Sequence, residues 1–108
     1  MNYYYLLLLA IAFEVCGTTC MKLSDGFSKL LPSILIFIFY AFSFFFFTLA
    51  LKGIDVSIAY AVWAGLGTAL ITLIGIFSFK EPVNALKMAS LFFVVAGVVG
   101  LHLSDRIT

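Results

Sequence analysis

Four continuous apolar runs separated by short polar interruptions organise the chain. They cover residues 3–21, 30–51, 56–79 and 86–103. Unbroken runs of this kind predict helices, because the strands of a membrane barrel alternate in polarity over about 10 residues between turns. A helix needs about 20 mainly apolar residues to cross the hydrocarbon core. The first three runs meet that requirement or come close to it, and the fourth borrows length from Leu86 and the apolar stem of Lys87. The interruptions are Lys22 to Lys29, Lys52 to Asp55 and Lys80 to Asn84, with Gly26, Gly53 and Pro82 standing where helices must stop. Pro32 falls near the start of the second run, where a missing N–H costs little. Connections this short make successive helices antiparallel neighbours. The pattern therefore predicts an all-α membrane protein, a single domain over residues 1–108 with four transmembrane helices per chain. The first run has no basic stretch before it and a carboxylate within it, which argues against a cleavable signal peptide.

Composition sharpens this by exclusion. Of 108 residues, 65% are hydrophobic and 10% charged, with a mean hydropathy of +1.24. A soluble domain carries about 25% charged residues, so a free-standing soluble domain is excluded, and disorder requires the opposite balance. The net charge of +1 offers no basic patch to a nucleic acid. Four crossings put Lys52 and Arg106 on one side of the bilayer and Lys22, Lys29, Lys80 and Lys87 on the other. That is a weak bias under the positive-inside rule, so insertion in both directions is compatible with the sequence.

Candidate chemistry centres on Glu14, which interrupts the first run near its middle. An ionised carboxylate at such a depth costs about 3 kcal/mol or more by insertion scales, and burial penalises its charged form. Two readings stand: a neutral structural acid held by a neighbour, or a site for protons and cations, the default for an acid inside a membrane. At about 100° per residue, Leu7, Ala10, Gly17, Thr18 and Met21 share its helical face. Ala10 and Gly17 leave room for a ligand or for another helix, and the Thr18 hydroxyl can bond the acid or its own backbone. Tyr60, Trp63 and Gly67 share a face of the third helix. The two rings form either a wall for an organic cation, worth about 0.5–2 kcal/mol, or an anchor at the headgroup level. Trp63, seven residues inside its run, is deeper than an interfacial anchor usually lies. Tyr40 and Ser43, three apart on the second helix, supply a polar edge. Gly65 and Gly67 permit a bend that could gate access, or else close packing. Ser90 and Gly97, seven apart on the fourth helix, form a seam suited to helix-on-helix contact. Phe42 and Phe44 to Phe47 are most simply lipid-facing or bulk.

Other features carry less. Cys16 and Cys20 lie one turn apart but point away from Glu14, and too few further ligands are near for a metal site. His102 reads as a helix-end cap. With no nucleotide loop, nucleophile triad or cofactor motif, neither an enzyme nor a bound cofactor is expected. One acid on four helices is too little to enclose a pathway, so at least a dimer is expected. Transporters built from inverted halves suggest two copies in opposite orientations.

Several segments together resemble the small multidrug resistance transporters. They are the run Ala12-Phe13-Glu14-Val15-Cys16-Gly17-Thr18-Thr19-Cys20-Met21-Lys22, then Ser24 to Phe27 with Pro32-Ser33, the run Ile58 to Gly67, Phe79 to Pro82, and Ala96 to Val99. The resemblance spans the chain. It implies a bacterial cell-membrane antiporter, an antiparallel dual-topology homodimer exchanging protons for a small cationic substrate. It assigns Glu14 to competitive proton and substrate binding, Tyr60, Trp63 and Tyr40 to the substrate pocket, Gly65 and Gly67 to a hinge, and the fourth-helix seam to dimerisation. Ser90 stands where family members often carry Gly, which implies a slightly looser helix approach. Gly17-Thr18-Thr19 stands where the guanidinium-exporting branch carries Trp. This chain thus resembles the quaternary-ammonium, multidrug branch with a roomier pocket, although Phe13 departs from the Ala of some members. The alternatives are a guanidinium exporter of the same architecture and one half of a heterodimeric pair.

Overall fold

The computed structural model of the chain describes residues 2–107, with side chains through Asp105; Arg106, counted in the charge balance above, thus has its side chain outside the described set. Four helices follow one another: α1 (Tyr3–Leu23), α2 (Leu30–Ala50), α3 (Val56–Ser78) and α4 (Ala85–Ile107). All four are long and apolar enough to cross a membrane, and no strand occurs among the described residues. The chain is therefore an all-α, multi-pass membrane protein. It divides into two compact units at Asp55 and Val56, α1 with α2 and α3 with α4.

In the first unit, Asn2 caps α1 by accepting the Tyr4 N–H at 3.0 Å on its side-chain oxygen. The turn into α2 is organised by Ser24, which is 1% exposed. Its hydroxyl donates to the Met21 carbonyl at 2.8 Å and accepts the Phe27 N–H at 3.2 Å, while its carbonyl accepts from Ser28 and Lys29. The chain can then reverse through Asp25, Gly26 and Phe27, all left-handed with φ of 50°, 69° and 67°. Pro32 lies in the first turn of α2, where its missing N–H leaves no helical bond unmade. The two helices interlock through aromatic rings. Phe13 stacks on Phe42 and Phe46 with centroids at 5.3 and 5.7 Å and tilts against Phe39 at 6.2 Å. The phenylalanine run of α2 is thus divided, since Phe46 is half-buried and packs inward while Phe44 and Phe45 are exposed.

In the second unit, α3 closes on a left-handed residue, with the Gly75 carbonyl accepting from both the Phe79 N–H and the Glu81 N–H. The Glu81 bond is 3.0 Å long, and Lys80 takes the left-handed conformation at φ 56°. Pro82 prevents continuation, and Asn84 starts α4 by accepting the Lys87 N–H at 2.8 Å. Glycine adopts positive φ without the Cβ penalty. Lys80→Gly is accordingly expected to raise stability by about 0.5–1 kcal/mol, measured as a higher midpoint of unfolding in detergent.

The helix ends differ slightly from the apolar runs. α1 continues two residues past residue 21, and α4 continues through Ser104 and Asp105 to Ile107 rather than stopping at 103. Hydropathy marks where hydrocarbon ends. Backbone hydrogen bonding needs no apolar side chain and carries the helix on into polar surroundings.

Candidate functional site

The α1–α2 unit gathers seven of the residues singled out in the sequence: Glu14, Thr18, Tyr40, Met21, Gly17, Ala10 and Ser43. Glu14 sits mid-way along α1, and its Oε1 accepts a hydrogen bond from the Thr18 hydroxyl one turn later, at 3.0 Å. Thr18 Oγ1 in turn lies 2.6 Å from Tyr40 Oη. When Glu14 is ionised the single Thr18 hydroxyl proton goes to it, and Tyr40 is then the donor of the second bond. Tyr40 Oη also lies 3.6 Å from Met21 Sδ. The other carboxylate oxygen, Glu14 Oε2, is buried without a hydrogen-bond partner. Buried polar atoms are nearly always paired, and an exception marks a place where something else binds or where strain is stored.

Small residues set the spacing of this group. Gly17 is packed against α2, where a Cβ would lie 3.4 Å from Phe39 and the Tyr40 ring, at the short edge of ordinary contact. Ala10 is fully buried, and its carbonyl accepts the Ser43 hydroxyl at 2.7 Å. Ser43 is 0% exposed, so this helix-to-helix bond occupies the hydroxyl that the sequence suggested as a pocket edge. The stripe of small residues around Glu14 is therefore a packing face at Ala10 and Gly17.

In the α3–α4 unit, Tyr60 and Trp63 stand side by side with ring centroids 5.7 Å apart, inclined at 55°. Tyr60 is 58% exposed and Trp63 half-buried, so both present ring surface. α3 runs unbroken through Gly65 and Gly67. Gly65 faces Val98 of α4 so closely that a Cβ there would collide with a Val98 methyl. Ser90 and Gly97 are exposed, and Val98 is the only buried residue among the described residues of α4. A cleft of about 580 Å³, lined by residues including Thr68, Thr72, Glu81, Lys87 and Ser90, opens between α3 and α4, and neither Tyr60 nor Trp63 lines it. No group of three or more potential metal ligands occurs among the described residues.

Phe13 is the residue near the site whose contribution the sequence reading missed. In the sequence it stands out only as a departure from the Ala of some family members, yet its ring anchors a four-phenylalanine cluster one residue before Glu14. The available signal was the spacing of Phe39, Phe42 and Phe46, which recur on one face of α2.

Residues 1–94 match the family described as Small Multidrug Resistance protein. The chain is 53% identical over 107 residues to the uncharacterized membrane protein YvaE of Bacillus subtilis (strain 168), covering 99% of this chain and 89% of that protein. It is 40% identical over 101 residues to the multidrug resistance protein EbrA of Bacillus licheniformis, covering 94% of this chain and 96% of that one. It is also 41% identical over 102 residues to the quaternary ammonium compound-resistance protein QacG of Staphylococcus sp. (strain ST94), covering 94% of each.

Proposed function

This chain belongs to the small multidrug resistance family, and from that premise we propose that it is a proton-coupled antiporter exporting lipophilic and quaternary ammonium cations by alternating access. Its four apolar helices and its bacterial relatives make it a multi-pass protein of the bacterial cell membrane. Relatives named for multidrug and quaternary ammonium resistance support multidrug efflux, with transport rather than catalysis as its work.

The observation that carries the reading is the carboxylate of Glu14, the one acid in the interior of a spanning helix, with one oxygen held by Thr18 and the other buried and unpartnered. Ionised, it attracts a cation out of water. The family resemblance assigns Tyr60 and Trp63 to the substrate pocket, and aromatic faces of this kind attract organic cations. Protonated, the same group loses its hold on the cation. A single carboxyl cannot bind both at full strength, and this exclusion links the two fluxes.

One such acid per chain suggests two chains around a shared pathway. Weakly biased charge supports insertion in both orientations, and hence an antiparallel homodimer. The exposed small residues Ser90 and Gly97 on the sparsely buried α4 support a helix-packing seam there. The resemblance assigns Gly65 and Gly67 to a hinge, a role that at Gly65 competes with its close contact with Val98.

The test is uptake by the purified chain in proteoliposomes under an imposed pH gradient. Guanidinium, tetramethylammonium and tetraphenylphosphonium are compared side by side. Gradient-driven uptake of the quaternary and aromatic cations is expected. Uptake of guanidinium alone would move the chain to the guanidinium branch, and failure to move any of the three would point to half of a heterodimer.

A further inference from the structure

The hydroxyls beside Glu14 form a chain with two ends. At one end Thr18 Oγ1 is 3.0 Å from Glu14 Oε1; in the middle it is 2.6 Å from Tyr40 Oη; at the other end Tyr40 Oη is 3.6 Å from Met21 Sδ. Each hydroxyl carries one proton and can accept as well as donate. Such a chain has two self-consistent directions. With Glu14 ionised, the carboxylate only accepts, so Thr18 donates to Oε1 and Tyr40 donates to Thr18. With a proton on Oε1, Glu14 donates to Thr18 and Thr18 donates to Tyr40. The phenol's own proton then turns to the Met21 sulfur, a weak acceptor.

The position of the acid proton follows from what each oxygen faces. Oε2 is buried with no partner. A proton there would be a buried donor without an acceptor, whereas a proton on Oε1 has Thr18 to receive it. An under-satisfied carbonyl oxygen is the more readily tolerated orphan. Protonation at Oε1 therefore leaves Oε2 as an acceptor and reverses the chain.

We infer that Thr18 and Tyr40 are positioning residues forming a reversible hydrogen-bond chain, which carries the protonation state of Glu14 to Tyr40 and Met21 near the end of α1. The inference rests on the reading of Glu14 as the proton site. α2 is the element packed on α1 within this unit; Tyr40 is its only titratable side chain, and it has no charged residue. No other ionisable group on α2 competes for Thr18. Because linked hydrogen bonds polarise one another, the direction is set cooperatively. The phenol donates inward while the acid is free to take a cation and accepts while the acid holds its proton, so the polar edge of the site changes with the exchange.

Infrared difference spectra between acid and alkaline pH, recorded on the full chain in phospholipid bilayers, test this. Two bands are followed: the Tyr40 ring C–O band, identified by its loss in Tyr40→Phe, and the Glu14 carboxyl C=O band, identified by its loss in Glu14→Gln. In the unaltered protein the Tyr40 band is expected to shift with pH together with the Glu14 band. Thr18→Val, which removes the hydroxyl and keeps the shape, abolishes the Tyr40 shift while the Glu14 band persists, and Thr18→Ser restores it. A Tyr40 shift that survives Thr18→Val, or is missing from the unaltered protein, overturns the chain. Adding tetraphenylphosphonium at fixed pH separates the two readings. A Glu14 band that answers to pH but not to the cation sinks the antiport reading, and the chain is then judged on the Tyr40 band alone.

Discussion

Glu14→Gln is expected to reduce pH-gradient-driven uptake of tetraphenylphosphonium into proteoliposomes to the level of empty vesicles. The replacement keeps the size of the side chain and an oxygen that can accept from Thr18, so the contact at 3.0 Å and the packing of α1 on α2 have every reason to survive. What is removed is the charge. A cation drawn into a desolvated site with no opposing charge loses about 3–5 kcal/mol, the cost of breaking a buried pair from one side. At about 1.4 kcal/mol per decade, that is a fall in affinity of at least about a hundredfold. The amide also cannot exchange a proton at working pH, so the residual binding is uncoupled from the gradient. Helicity and elution volume in detergent are expected to match the unaltered protein, which separates lost chemistry from lost structure. A subunit with a purely architectural role would behave differently, keeping its function with the amide in place. Coupled uptake that survives Glu14→Gln would reject the mechanism.

The spans and the Glu14 face were legible in the sequence for one reason: both depend on intervals along a single helix. Unbroken apolar runs mark where the chain meets hydrocarbon, and a 100° step places Ala10, Gly17 and Thr18 beside Glu14. Contacts between helices follow another rule. Whether Tyr40 reaches Thr18 depends on how α1 and α2 are rotated about their axes, which no spacing within either helix specifies. Ser43 shows the same limit, since its position three residues after Tyr40 suggested a shared polar edge, yet its hydroxyl is buried on the Ala10 carbonyl. In the first connection Gly26 was recognisable as a stop. The left-handed Asp25 and Phe27 beside it were not, because they follow from the bonds made by Ser24, a polar residue that hydropathy gives no reason to bury. Spacing leaves Gly65 open between hinge and contact, and the family resemblance, which assigns a hinge, does not show which neighbour the glycine meets.

Gly65→Ala distinguishes them. Helix propensity predicts a gain of about 0.5–1 kcal/mol, since alanine is a better helix former than glycine. Sterics oppose it, because a Cβ at residue 65 collides with the Cγ2 methyl of Val98. Val98 cannot easily swing aside, being 8% exposed and β-branched, with one strongly preferred rotamer in a helix. Overpacking of this kind costs about 1–3 kcal/mol, so sterics win and Gly65→Ala is expected to unfold more readily in denaturing detergent and to transport more slowly. Val98→Ala removes the offending methyl and leaves its Cβ 3.8 Å from the new one, an ordinary contact, with Val94 Cγ1 at 3.5 Å. The double variant Gly65→Ala with Val98→Ala should therefore be more stable than the sum of the two single changes predicts, by a coupling of about 1–2 kcal/mol. A backbone hinge predicts something else: transport lost in Gly65→Ala at unchanged or increased stability, and no recovery when Val98 is trimmed. Recovery of stability without transport would mean that Gly65 admits Val98 at rest and also bends during the cycle, two demands that glycine meets at once because it lacks the atom that obstructs the first and stiffens the second.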